Sequence, residues 1–147
     1  MLKYFAIDRE GLTSLRGKHF PEVVSDVCRA IVELYGKTDY QPPFVCYLVA
    51  DGEEIIGTCG FKSPPNFGRV EIAYFTFPRH EGRGLGTEMA RELVRIARAE
   101  DPRILISAFT APEKNASARI LEQAGFVFQR PFDHPEDGLV WEWLNQP

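Results

Sequence analysis

Apolar positions along this chain fall into short runs that are separated by proline and glycine. Runs bounded by turn residues predict strands at residues 3–7, 44–50, 54–61, 69–77, 103–109, 126–130 and 139–144. Apolar positions at helical spacing predict helices over residues 21–35, 84–100 and 115–123. This order predicts a mixed α/β (α+β) sheet rather than a doubly wound Rossmann fold: hairpins come first, and a β-α-β crossover then creates a parallel strand pair.

Several element ends have their own signals. Pro21 stands at the start of the first helix and Gly36 follows it, while Gly125 follows the third helix. Asp51 and Gly52 separate two apolar runs, which is typical of a hairpin with a type I′ turn. There is no repeat, low-complexity tract or linker, so the chain reads as short elements of one unit.

Composition narrows the class of protein. A chain of 147 residues with 44% hydrophobic residues fits one domain, residues 1–147, with one packed core. No run reaches the ~20 apolar residues of a membrane span, and residues 1–8 lack the apolar core of a signal peptide. We therefore expect a cytoplasmic protein without a membrane partner.

Charge argues against a nucleic-acid partner. The chain has 17 basic and 21 acidic residues and a net charge of −4, whereas binding to phosphate backbones usually needs a basic surplus. Residues 131–147 hold four acidic and no Lys or Arg residues, and we interpret that stretch as solvated surface. Residues 79–103 hold six Arg against five acids, so they are slightly basic.

Cysteine and histidine positions do not predict a metal centre. The cysteines form no CxxC pair and match no zinc spacing, and we expect small buried apolar side chains at Cys28, Cys46 and Cys59. The histidines are equally scattered: His19, His80 and His134.

A glycine-rich loop, PRHEGRGLGT at residues 78–87, joins a predicted strand to the second helix. Alternate glycines allow a ligand to approach the backbone, and the free N–H groups at a helix start suit a phosphate. The loop lacks the Gly-Lys-Ser/Thr of a P-loop, and its G-x-G-x-G pattern differs from the dinucleotide G-x-G-x-x-G. A plain strand-to-helix turn is the alternative.

Two motifs together carry a family resemblance. VEIAYFTFP at residues 70–78 leads into the glycine loop, and PEKNASARILEQAGF follows at residues 112–126. Together they resemble the acetyl-CoA-binding core of the GNAT superfamily of N-acetyltransferases, and the second motif is most similar to the branch of ribosomal-protein N-terminal acetyltransferases. The resemblance implies an acyl-CoA N-acyltransferase fold with antiparallel hairpins, a central splayed parallel strand pair and flanking helices. It also implies acetyl-CoA as cosubstrate.

The resemblance also implies binding roles. The N–H of Phe75 would donate to the thioester carbonyl, and the backbone of Phe77 would pair with pantetheine. Asn115 would bind pantetheine or, alternatively, cap the third helix. The pyrophosphate would be held by Gly82, Arg83, Gly84, Gly86 and Thr87.

Two side chains are candidates for catalysis. Glu71 is the only acid between residues 70 and 78, and strand alternation puts it on the face of Ala73, Phe75 and Phe77. We expect apolar surroundings to raise the pKa of Glu71 toward that of a working base. A solvent-side residue or a structural ion pair is the alternative. Ser117 would donate to the leaving thiolate, or it is a local helix cap.

The chain departs from the family pattern at two positions. Glu81 stands where relatives usually carry Gln or Arg, and we expect it to turn outward. Glu122 stands where many relatives have the Tyr that protonates the departing thiolate, so that proton would come from another group or from water.

The function implied is an acetyl-CoA-dependent N-acetyltransferase acting on a primary amine, either a small amine, which we favour slightly, or a peptide N-terminus. A non-catalytic acyl-CoA-binding sensor on the same fold is the main alternative, and a nucleotide-binding module is a third. Phe44, Tyr40 and Phe67 line the acceptor pocket or belong to the core. Residues 139–144, with two tryptophans, form either a homodimer edge or a covered core strand.

Overall fold

The computed structural model describes residues 1–11, 13 and 22–147, so Pro21 and His19 lie outside the described residues. The described part contains seven strands and three helices in the predicted order. They are β1 (Leu2–Ala6), α1 (Glu22–Lys37), β2 (Cys46–Asp51), β3 (Glu54–Phe61), β4 (Arg69–Thr76), α2 (Leu85–Glu100), β5 (Leu105–Thr110), α3 (Ala116–Gln123), β6 (Val127–His134) and β7 (Gly138–Asn145). Among these described helices, none is both long and apolar enough to cross a membrane.

The strands form one sheet in the order β1-β2-β3-β4-β5-β7-β6. Neighbours are antiparallel except β4 and β5, which are parallel because α2 crosses over between them. This confirms the predicted mixed sheet. The helices cover both faces, with α1 on one side and α2 and α3 together on the other, and buried apolar side chains of α2 (Leu85, Met89, Leu93 and Ala97) pack into the core.

A gap opens between the two parallel strands. Their pairing runs only from Arg69–Leu105 to Glu71–Ser107, although β4 continues to Thr76 and β5 to Thr110. Beyond Glu71 and Ser107 the strands therefore separate. This is the splayed pair that the sequence predicted, and Glu71 lies at its narrow end.

Strand β6 is longer than predicted, because Pro131 lies inside it rather than ending it. Proline cannot donate to a strand ladder, but β6 is the last strand of the sheet and tolerates it. A register shift between Phe128 and Arg130 accompanies the change. The extension brings His134 into the sheet.

The C-terminal strand is covered rather than an edge. β7 lies between β5 and β6, and Trp143 is buried with its indole N–H donating to Thr110 Oγ1 at 3.0 Å. The prediction of a dimer edge at residues 139–144 is therefore wrong, and its core-strand alternative is correct. The large apolar side chains exposed in the neighbouring strand β6 are Val127 and Phe128.

Two smaller expectations also change. The β2–β3 loop is Gly52 and Glu53, since Asp51 pairs with Glu54, and Gly52 has a φ of +64°. The antiparallel pairing confirms the predicted hairpin. The predicted turn type is wrong, because Glu53 does not have the positive φ that a type I′ turn needs.

Cys46 and Cys59 are buried as expected, but Cys28 is only half-buried.

Residues 131–147 are not wholly solvated as predicted, because Glu142 on β7 is buried. It is 5% exposed and accepts hydrogen bonds from Arg69 (2.7 Å) and Arg130 (3.2 Å). Burial alone would raise the pKa of Glu142, but the two guanidinium groups more than offset it and hold that pKa below its ordinary value.

We expect Glu142→Gln to lower the free energy of unfolding at neutral pH by roughly 1–3 kcal/mol, since the change leaves two arginines without their carboxylate. A carboxyl with a depressed pKa stabilises above its unfolded-state pKa and loses this contribution as the pH falls through its folded-state pKa. The stability difference between wild type and variant should therefore shrink from about pH 5 to about pH 3. Urea unfolding at stepped pH measures it.

Asp133→Asn is the matched control, because Asp133 is an exposed carboxyl on β6. It should change stability by less than about 0.5 kcal/mol throughout the pH range. A Glu142→Gln effect that stays constant down to about pH 3 would contradict the assigned ion pairs.

Candidate active site

The glycine loop ends in a left-handed turn that opens onto the start of α2. Gly82 and Gly84 have φ values of +77° and +75°, and a Cβ at either position would meet no atom within 4 Å. The first bond of α2 runs from Glu88 N–H to Gly84 O at 3.3 Å. The N–H groups of the three residues before Glu88 thus precede the helix ladder, which leaves donors for an anion.

Arg83 is tied to the neighbouring hairpin. Its guanidinium donates to Asp51 Oδ2 at 2.8 Å and lies 3.1 Å from His80 Nδ1. His80 is buried, and its Nε2 lies 3.4 Å from Glu54 Oε2. These contacts hold the loop against β2 and β3. Glu81 is exposed, as expected from its departure from the family pattern.

Gly86 and Thr87 join α2 to α3. A Cβ on Gly86 would lie 2.7 Å from Ile120 Cδ1, so the absence of a side chain allows the two helices to approach. The Thr87 hydroxyl donates to Gln123 Oε1 at 3.0 Å. The structure therefore gives both residues a packing role, and their part in pyrophosphate binding stays a prediction.

The residues of β4 whose backbone N–H groups face β3 are not the ones that were predicted. Phe77 N–H donates to Ile56 O at 2.9 Å, and Lys62 N–H donates to Glu71 O at 3.0 Å. The register between these bonds is continuous, so alternation directs the N–H of Phe75 to β3 as well. The predicted roles of the Phe75 N–H and the Phe77 backbone are therefore wrong.

The other residues of β4 supply the edge of the gap. By the same alternation, Tyr74 and Thr76 direct their N–H and C=O groups away from β3, toward the side where β5 no longer pairs. Tyr74 and Thr76, rather than Phe75 and Phe77, therefore present their backbone groups to the gap.

Glu71 lines a cavity of about 590 Å³ between α1, the sheet and the β6–β7 loop. Ala73 and Phe75 line the same cavity, which confirms the predicted face. Most of the cavity lining is apolar, but Lys62 Nζ lies 3.2 Å from Glu71 Oε2, so the expectation of apolar surroundings is met only in part. An ion pair, as the alternative expected, is therefore present, and a role of Glu71 as base stays a prediction.

His134 is the group that the sequence reasoning missed. Its Nε2 lies 3.9 Å from Glu71 Oε1, and its Nδ1 accepts the Glu136 N–H at 3.1 Å. Because Nδ1 is an acceptor, the proton of the neutral ring lies on Nε2 and faces Glu71. No short sequence motif predicts this contact, because it depends on how far β6 extends.

The start of α3 carries Asn115 and Ser117 and is contacted by Tyr74 of β4. Asn115 is the N-cap, with Oδ1 accepting the Ala118 N–H at 3.0 Å, which supports the cap alternative. Ser117 follows in the first turn, and the Tyr74 hydroxyl donates to its carbonyl oxygen at 3.4 Å. Burial raises the pKa of the Tyr74 phenol, so this group stays protonated at neutral pH.

The aromatic residues around the cavity are not the predicted ones. Phe44 is buried, with its ring 5.2 Å from that of Phe61; Tyr40 lines a separate, smaller cavity; and Phe67 is fully exposed. Phe61 and Phe75 line the cavity of Glu71 instead. Among the residues that the structure describes, no group of three or more His, Cys, Asp or Glu could hold a metal ion.

Sequence comparison identifies relatives of the chain. The profile of the acetyltransferase (GNAT) domain matches residues 5–127. An uncharacterized N-acetyltransferase, p20 of Bacillus licheniformis, is 31% identical over 80 residues. That match covers 54% of this chain and 45% of the relative, so the chain spans less than half of that protein's length.

Solved structures share the fold. An aminoglycoside acetyltransferase, AAC(6')-Ib, in complex with coenzyme A and kanamycin, aligns with a TM-score of 0.60 and 24% identity over 69% of this chain and 66% of its own. RimL, a ribosomal-protein α-N-acetyltransferase in complex with coenzyme A, aligns with a TM-score of 0.70 and 14% identity over 99% and 93%. A spermidine N-acetyltransferase chimera from Vibrio cholerae and hSSAT aligns with a TM-score of 0.69 and 17% identity over 99% and 95%. From the profile match over residues 5–127, together with the splayed parallel strands, the chain belongs to the GNAT acetyltransferase family.

Proposed function

We propose that the protein is an acetyl-CoA-dependent N-acetyltransferase that moves an acetyl group to a primary amine. The observation that carries this proposal is the course of β4 along the gap. It runs from Glu71 at the narrow end toward the glycine loop at the open end, so one strand links a carboxylate to a helix start whose first N–H groups precede the helix ladder. An extended thioester with a phosphate-rich end fits this arrangement.

Binding would use backbone groups. The N–H groups at the start of α2 suit the pyrophosphate, and the space beside Gly82 and Gly84 leaves room for it. The N–H and C=O groups of Tyr74 and Thr76 would pair with pantetheine as a neighbouring strand would. Arg83 would add a cation near the phosphates while it remains bound to Asp51.

Glu71 would prepare the acceptor. An amine arrives mainly as the ammonium ion, and the carboxylate removes one proton directly or through a water molecule. The neutral nitrogen then attacks the thioester carbon, so that a C–N bond forms and the C–S bond breaks. Lys62 would hold Oε2 while Oε1 stays on the side of His134 and the cavity.

The leaving thiolate needs a proton. The Tyr74 phenol reaches the start of α3, where it donates to the carbonyl oxygen of Ser117, and strand alternation directs the Tyr74 side chain to the face opposite that of the Glu71 side chain. The Tyr74 phenol or the Ser117 hydroxyl would supply the proton that relatives take from the tyrosine replaced here by Glu122. The proton that leaves the ammonium and the proton that reaches the thiolate thus travel on opposite faces.

Thermal unfolding with and without ligand, followed by a thiol-release assay with a panel of amines, tests the proposal. Acetyl-CoA at about 100 times its Kd should add about 2.7 kcal/mol of stability, and free thiol should appear only when an amine is present. Stabilisation without thiol release from any amine would indicate the acyl-CoA-binding module instead. Stabilisation by ATP or NAD but not by acetyl-CoA would overturn both.

A further inference from the structure

We infer that the preferred acceptor is a monoamine with an apolar body, and not a polycationic amine. This inference rests on the proposed function, because it concerns the cavity that contains Glu71. The solved neighbours include enzymes named for spermidine and aminoglycosides, which carry several amino groups. The lining of this cavity differs from what such molecules need.

Most of the cavity wall is apolar. One side of the cavity is formed by α1, and the other is the sheet surface. Phe75, near the end of β4, is 46% exposed, and the small Ala73 on the same face leaves space in front of the ring. Together they provide an apolar surface that gains about 25 cal/mol for each Å² covered by a ligand. The apolar lining residues that keep exposed or partly exposed surface include Val27, Leu34, Ala73 and Phe75.

The charged lining groups balance one another. Two acids, Glu71 and Glu136, are matched by two bases, Lys37 and Lys62, and Glu71 is already paired with Lys62. An ammonium group that leaves water without a counter-charge loses its hydration without compensation. The cavity therefore has a partner for one reacting ammonium group, but no surplus of negative charge for a second or third.

The residues outside the described set add no carboxylate side chain. Residues 12 and 14–21 contain no Asp or Glu, whereas Arg16 and Lys18 are basic. Their sequence therefore contains no counter-charge to offer a polyamine.

Comparing kcat/KM for thiol release tests the inference. We expect 2-phenylethylamine and 3-methylbutylamine to exceed spermidine and kanamycin by on the order of 100-fold, since each further ammonium group of a polyamine would lose hydration without a counter-charge in the cavity. If spermidine or kanamycin matched the monoamines, the inference would fail while the proposed function stood. Thiol release from no amine would overturn both.

A substitution at Ala73 tests the apolar subsite with a large and a small monoamine, without a polycationic amine. Ala73→Leu fills the space in front of Phe75, so kcat/KM for 2-phenylethylamine should fall by about 10-fold or more while that for methylamine is retained. Ala99→Leu, the same change at an exposed position of α2 outside the cavity lining, is the matched control. The acetyl-CoA-dependent thermal shift reports whether each variant is folded. An equal loss for both amines, or no loss for either, would contradict the assigned apolar subsite.

Discussion

Replacing Glu71 by glutamine is expected to reduce kcat/KM for the best amine by about 10²- to 10⁴-fold, the usual contribution of a general base. The amide keeps the size of the carboxyl and accepts a hydrogen bond from Lys62, but it cannot take a proton from an ammonium ion. Since Glu71 lies at the narrow end of the gap and away from the glycine loop, stabilisation by acetyl-CoA should be unchanged. Steady-state thiol release measures the first quantity, and thermal unfolding measures the second.

The shape of the pH profile separates a base from a structural ion pair. The acidic limb of kcat/KM, which reports ionisation of the base in the free enzyme, should disappear in the variant. Lys62→Met removes the same ion pair but leaves the carboxylate, so it should retain most of the activity. Glu100→Gln, at the far end of α2, is the matched control for loss of one exposed carboxyl. Undiminished turnover with an unaltered profile would exclude the base role.

Gly84→Val is expected to weaken acetyl-CoA binding by on the order of 100-fold, as if one or two charge-assisted hydrogen bonds were lost. Its φ of +75° is strained for a branched side chain, and the new side chain would enter the open space beside the start of α2. Isothermal titration calorimetry with acetyl-CoA measures the change directly.

Gly68→Val provides a closely matched comparison. Gly68 has a φ of +73°, and a Cβ there would likewise meet no atom within 4 Å, but the residue lies in the turn before β4. Both variants should lose similar stability, about 1–2 kcal/mol, from the left-handed backbone. Only Gly84→Val should lose affinity. Equal affinities in the two variants would show that the glycine loop is an ordinary strand-to-helix turn.

Most elements of the fold were predictable because their signals are local. The apolar stripe and glycine start of α2 place it at Leu85–Glu100, within one residue of the expected helix. The burial of Glu142 was not predictable in this way. Its partners, Arg69 and Arg130, come from two other strands, so only the tertiary arrangement turns an acidic stretch into an ion-pair centre.

The candidate site also has features that local sequence predicts and features that depend on the tertiary arrangement. Period-two alternation correctly placed Glu71, Ala73 and Phe75 on one face, since a side chain's face depends on its own strand. The edge to which each N–H points depends on the register with the neighbouring strand, and that register reverses the expected use of Phe75 and Tyr74. His134 reaches Glu71 only because β6 continues past Pro131 at the edge of the sheet.

The short pairing between β4 and β5 also makes the sheet mechanically divided. A four-stranded part, β1 to β4, and a three-stranded part, β5 to β7, share a ladder of only three residue pairs. An extended ligand bound along Tyr74 and Thr76 would act as an additional strand across the two parts and complete the interrupted ladder. Binding of the ligand would then connect the two parts and make the whole sheet more rigid. The amine cavity would lie where the two parts meet.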